Sequence, residues 1–409
     1  MSTPAYPSPP MSASAASLAW PAALALAAAM GIGRFAFTPV WPLMAQEAGL
    51  SLAQGSWMAS ANYAGYLLGA LAAIAWPVRR LRATLAASLA AVAALTLAMP
   101  LLDSVAGWAA LRLAAGYASA SAFICVAAWR SVPAGDPREA SVSAVTYAGV
   151  GAGIALTGLV CLALMAWGAG ANQTWVALGG LTLALSVAAW PRLSRQSPPA
   201  RTSAAAMPPA RLPRGIGALS LHYGVFGVGY IIPATFLPAM AKEILPDPAV
   251  FGWAWPLFGL AAALSCLLVP RLARGRDDRQ VWRCAQLLMA AGMLAVALWH
   301  HIAAVILAAL LVGGTFMVIT QAGMLTARRL SGPAAPRAAA IMTAAFAAGQ
   351  ILGPLLASWA ARWGADLPQV LEAGAVLLAA SAWALGKVTT DGAGAGHNAI
   401  GPQGRSHSN

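Results

Sequence analysis

Gly31-Ile32-Gly33-Arg34-Phe35-Ala36-Phe37-Thr38-Pro39-Val40-Trp41-Pro42-Leu43-Met44-Ala45-Gln46-Glu47 is the stretch from which the rest of the chain can be read. Its skeleton returns 196 positions later as Gly227-Val228-Gly229, Pro238-Ala239-Met240-Ala241 and Glu243. The same offset pairs Trp57 with Trp253, Gly153 with Gly349, Leu156 with Leu352, and Trp167-Gly168 with Trp363-Gly364. Ala, Gly and Leu recur by chance in so biased a composition, but Pro-x-Met-Ala-x-Glu and two tryptophan pairs at one spacing do not. The chain is therefore a duplication of two similar halves. One position breaks the symmetry: Arg34, a cation inside an apolar run, stands opposite Tyr230 in the second copy.

The chain has 409 residues, of which 60% are hydrophobic and 9% charged, and its mean hydropathy is +0.71. That places it among polytopic membrane proteins and outside the soluble globular range. A crossing helix needs about 20 largely apolar residues. Twelve such runs can be drawn, at 18–44, 55–76, 83–102, 107–129, 141–166, 172–190, 216–240, 251–270, 281–299, 302–326, 339–361 and 367–386. The reading is an all-α membrane protein of twelve transmembrane helices in two six-helix repeats. Residues 1–17 are expected to be a disordered tail, 18–190 the first bundle, 191–215 a proline- and arginine-rich linker, 216–386 the second bundle, and 387–409 a second disordered tail.

The formal charge of +13 follows from topology rather than from a nucleic-acid partner, which is not expected. Apart from Arg34, Arg112, Lys242 and Arg362, the 24 basic residues fall in the turns and termini on one side of the spans. The positive-inside rule then puts both termini in the cytoplasm of a bacterial-type inner membrane. Cys125, Cys161, Cys266 and Cys284 have neither paired spacing nor ligand histidines, and read as small core residues. No metal, cofactor or catalytic constellation is expected, so the chain is not read as an enzyme. The expected partners are a small-molecule solute and the lipid bilayer, with the chain acting as a monomer.

Within the spans, Gly31, Gly33, Pro39 and Pro42 predict a bend in the first. Asn62, Tyr66 and Gly69 share a face of the second, and Arg112, Gly116, Ser119 and Phe123 share one of the fourth. Spans 3 and 6 carry almost no polar residues and read as lipid-facing. The candidate substrate-binding residues are Arg34, Asn62, Tyr66, Tyr147, His222, Phe226, Tyr230, Gln321 and Gln350.

A guanidinium at bilayer depth is expensive and turns to a cavity or a partner. Arg34 is read either as the clamp for an anionic group or as a lock on carbonyls freed by the bend. His222 is read either as a group titrating near neutral pH or as a neutral, hydrogen-bonded histidine. Glu47 and Glu243 follow equivalent helix ends, which points to a shared structural role.

Two six-helix halves joined by a basic linker form the outline of a secondary transporter with parallel repeats, and the chain resembles the major facilitator superfamily. Arg112-Leu-Ala-Ala-Gly116 is similar to the Arg-x-x-x-Gly signature of that superfamily's fourth helix, and the resemblance implies a coupling or helix-fixing role for Arg112. More narrowly, Gly31 to Pro39, Ala59 to Gly69 and Tyr230 to Pro238 resemble the YbfB/YjiJ branch. The resemblance implies a transporter of the facilitator fold. The function expected is secondary transport of a small organic solute, anionic or zwitterionic, by alternating access driven by an ion gradient. The alternative is a transporter-like sensor that binds a solute without moving it.

Overall fold

The computed structural model describes residues 14–76, 78, 80–129, 131–133, 136–195, 212–244, 252–299 and 301–388, with side chains left out at 235–244. The linker residues 196–211, the tails 1–13 and 389–409, and the Glu243 side chain lie outside the described residues.

The first expected span is not one rod. It comprises α1 (Ala15–Leu26), a π-helical turn (Ala27–Ile32), a non-helical break at 33–36 and α2 (Phe37–Ala48). The π geometry is carried by bonds such as Gly33 N–H to Ala28 O at 3.0 Å and Phe35 N–H to Met30 O at 3.2 Å. The helix resumes at Phe37, which puts Pro39 in the first turn of α2, where its missing N–H is tolerated.

The remaining helices are α3 (Leu52–Ala75), α4 (Leu81–Leu97), α5 (Val105–Ala128), α6 (Glu139–Ala166), α7 (Ala171–Arg195), α8 (Ile216–Ile244) and α9 (Ala254–Leu272). They are followed by α10 (Asp278–Leu298), α11 (Ile302–Ser331), α12 (Ala335–Arg362) and α13 (Leu367–Leu385). Ten segments are long and apolar enough to cross a membrane, with α11 and α12 merged as one run of 61 residues and α4 set apart as a shorter apolar helix. Among the described residues, the expected count of twelve is approached but not matched by these ten spans and one shorter helix. α7 continues to Arg195 through Pro191, entering the segment expected as linker.

The duplication is visible in how the helices pair. In the first half α1 packs on α6, α3 on α5, and α4 on α5 and α7. In the second, α8 packs on α12, α9 on α11, and α10 on α11 and α13. Helices in lipid associate by close packing rather than by expelling water, and the repeated glycines make that packing possible. A methyl group at Gly153 would sit 2.6 Å from the carbonyl oxygen of Ala27, and one at its equivalent, Gly349, 2.2 Å from that of Gly224. The paired Trp167-Gly168 and Trp363-Gly364 end α6 and α12 alike, with the glycines at φ +74° and +87°.

The halves meet where α6 lies along α9 and α3 along α12. α9 buries a narrow face of Pro256, Phe258, Gly259, Ala262 and Cys266 and leaves its leucines exposed. The reading of all four cysteines as core residues is corrected at Cys284, which is exposed on α10, while the other three are buried. Glu47 caps the start of α7, its carboxylate accepting from Ala171 N–H at 2.9 and 3.1 Å, a structural role fitted to a helix N-terminus.

Candidate functional site

The break in the first span is stitched by side chains from its neighbours. From α5, Ser119 Oγ donates to Ala29 O at 2.7 Å, and from α6, Thr157 Oγ1 donates to Gly31 O at 3.3 Å. Arg112, also on α5, donates through Nη1 to Gly33 O at 3.3 Å and through Nη2 to Arg34 O at 3.0 Å. Its guanidinium lies 4.9 Å from the centre of the Phe37 ring. Among the described residues, the carbonyls along the break are thus met by Ser119, Thr157 and Arg112.

Arg34 itself, 3% exposed, turns to the opposite half, where Nη2 donates to the side-chain oxygen of Gln350 on α12. Its Nε and Nη1 have no hydrogen-bond partner among the described residues, and no ion pair reaches it there. Four rings surround the guanidinium: Tyr66 with its centre at 3.9 Å, Phe35 at 5.4 Å, Phe346 at 5.7 Å and Tyr63 at 5.8 Å. Ring faces stabilise a cation at these distances. The unpartnered N–H groups of such a guanidinium are donors suited to carboxylate or phosphate oxygens.

Behind Phe346 the aromatic surface continues across the second half. Phe226 lies 5.0 Å from it, and Tyr230 stacks on Phe316 at 5.0 Å with planes 21° apart. Tyr230, the duplicate of Arg34, therefore fills with a ring the place its twin fills with a charge.

The structure gathers Arg34, Tyr66, Phe226, Tyr230 and Gln350 around this cluster, together with Phe35, Phe316 and Phe346. Asn62 stands at its edge: its Nδ2 donates to Arg112 O at 2.9 Å, while Oδ1 has no partner among the described residues. Gln321 is buried on α11 with its Oε1 likewise unpartnered. Two candidates lie elsewhere. His222 Nδ1 pairs with Ser381 Oγ on α13 at 2.9 Å. Tyr147 packs edge-on to Phe123 and lines a small polar cavity with Ser143, Thr146 and Arg328.

A second link between the halves was not anticipated. Glu139, at the first turn of α6 and 6% exposed, accepts from Arg328 Nη2 and Arg329 Nε of α11, each at 3.0 Å. Arg329 also reaches Asp278 of α10 at 2.6 Å. The signal available in the sequence was an acidic residue leading a long apolar run.

Arg34 of the first repeat thus meets Gln350 of the second where α3 lies along α12. A family model described as "Uncharacterised MFS-type transporter YbfB" matches residues 26–385. The chain belongs to that family of MFS-type transporters. Among solved structures, the human organic anion transporter MFSD10 (TETRAN) has a TM-score of 0.64 at 13% identity, with 91% of this chain and 98% of that chain covered. At that identity the likeness establishes the major facilitator fold. No curated protein matches the sequence.

Proposed function

We propose that this MFS-type protein carries a small organic anion, or a zwitterion through its anionic end, across a bacterial-type inner membrane by alternating access. The two bundles, 18–190 and 216–386, rock about the site between them, with both termini in the cytoplasm. An ion gradient drives accumulation, and the chain works as a monomer in the bilayer without a nucleic-acid partner. The observation that carries this reading is the bond from Arg34 of the first half to Gln350 of the second. A ligand gripped there is gripped by both halves, so its binding energy acts on their relative position.

The membrane-spanning position of the site supports transport. A guanidinium in low dielectric favours an anion over a neutral solute far more than it does in water. Arg112, with both terminal nitrogens on carbonyls, fixes the backbone that presents Arg34.

Counterflow into proteoliposomes loaded with organic acids, amino acids or sugars tests the proposal. Saturable exchange restricted to carboxylate-bearing solutes is the expected result, with net accumulation lost when ionophores collapse the ion gradients. Tight binding of such a solute with no flux would instead favour a sensor.

A further inference from the structure

We propose that the ligand is a dianion, drawn to the site by the combined charges of Arg34 and Arg112. The inference rests on the assignment of Arg34 as the ligand site. It adds the charge of the solute held there and gives Arg112, besides its hold on the backbone, a part in choosing it.

The chain places two positive charges inside the first bundle and no negative one beside them. Both guanidiniums are buried, and among the described residues no ion pair reaches either. Arg34 bonds the neutral amide of Gln350, and Arg112 the neutral carbonyls of Gly33 and Arg34. Such bonds and the neighbouring ring faces lower the cost of burial, but they leave both charges unneutralised. Of the eleven acidic residues in the sequence, only Glu372 falls within one of the twelve apolar runs, near the start of the last. It belongs to α13, which packs on α8, α10 and α12 of the second half.

The two charges act on one volume. Arg112 Nη2 lies 3.0 Å from the carbonyl oxygen of Arg34. Bond lengths limit how far the Arg34 guanidinium can reach from its own backbone, so the two charge centres lie within about 13 Å of each other. Even at about 13 Å, with an effective dielectric of about 20, a negative charge gains about tenfold in affinity from Arg112. The attraction of the nearer Arg34 adds to that gain.

Donors are open at both arginines. Arg34 keeps Nε and Nη1, and Arg112 keeps Nε, without a partner among the described residues. Gln350 adds Nε2 from the second half. These groups suit the oxygens of a dicarboxylate or of a phosphate monoester, which is dianionic above a second pKa of about 6.

The test is calorimetric binding to the purified full chain in detergent at about pH 8, above the second pKa of the phosphate ester. Two pairs of probes are close in size and unequal in charge: succinate with its monomethyl ester, and methyl phosphate with methyl sulfate. In at least one pair the dianion should bind about tenfold more tightly, or better. A preference in the succinate pair identifies a dicarboxylate, and one in the methyl phosphate pair a phosphate ester.

Arg112→Gln removes the charge, and Arg112→Lys keeps it without the fork. Loss of a purely structural Arg112 would weaken both members of a pair alike. The proposal expects the ratio within the pair to fall severalfold in Arg112→Gln and to survive in Arg112→Lys. Equal affinities within both pairs in the native chain, or an unchanged ratio in folded Arg112→Gln, would overturn it. The native pairs decide the matter if the variants do not fold. Monoanions that bind as tightly as the dianions, and lose binding in Arg34→Gln, would sink this inference alone. A native protein that binds none of the four probes would remove the underlying site assignment as well.

Discussion

Arg112 holds the backbone from which Arg34 projects, one terminal nitrogen on Gly33 O and the other, at 3.0 Å, on the carbonyl of Arg34 itself. The two buried cations of the first half thus divide the work: one satisfies the opened backbone and the other faces the second half.

Arg112→Ala should cost roughly 3 kcal/mol, because two carbonyls in low dielectric lose a charged donor. Arg112→Lys has one compact ammonium in place of a planar fork, so it should recover only part of that loss and raise the apparent KM. Thermal unfolding together with transport kinetics checks both, and a stable Arg112→Ala protein with native KM would contradict this role.

Glu139 ties α6 to α11 through Arg328 and Arg329. Glu139→Gln removes the charge that both arginines share and should shift the population towards a form open at that end. The expected change in thiol labelling of Ser143→Cys, beside the adjoining small cavity, is about tenfold, the equivalent of roughly 1.4 kcal/mol. Labelling at the native rate would show that the link does not hold the halves together.

Gly153 allows α6 to touch the first span, where a methyl group would meet Ala27 O at 2.6 Å, while Gly180 on α7 has nothing within 4 Å. Gly153→Ala should destabilise by about 1–3 kcal/mol through overpacking, and Gly180→Ala should be neutral or slightly stabilising. Equal melting temperatures for the two variants would argue against the close crossing.

The arginine bias predicts the orientation. In a Cys284→Ser background, which removes the one exposed thiol among the described residues, Arg195→Cys and Leu330→Cys should label from the cytoplasm and Asn172→Cys from outside. Labelling of position 195 from outside would reverse the topology.

Much of this architecture was legible in the chain, because duplication and bilayer thickness both leave periodic marks. The glycines and prolines of the first span foretold a bend, and the lone Arg34 marked where the halves differ. What the sequence did not carry was contact between distant segments. Glu139 reads as an ordinary charge next to Asp136 and Arg138 until α11 brings Arg328 to it from 189 residues away. His222 shares a coarse stripe with Phe226 and Tyr230, but Tyr223, about 100° further round the helix, is the residue that enters the aromatic cluster with Phe226 and Phe346. A stripe drawn at every fourth residue drifts by about 40° per step, so over two steps it no longer marks the face on which Phe226 and Tyr230 sit with Tyr223.

The most direct test of the account is uptake of a labelled organic anion into proteoliposomes containing native, Arg34→Lys or Arg34→Gln protein in equal folded amounts. The lysine variant keeps the charge without the fork and should weaken transport about tenfold, and the glutamine variant should lose transport and binding together, by about a hundredfold or more. A stable Arg34→Gln protein that takes up the anion with native apparent affinity would contradict the claim that Arg34 holds the substrate.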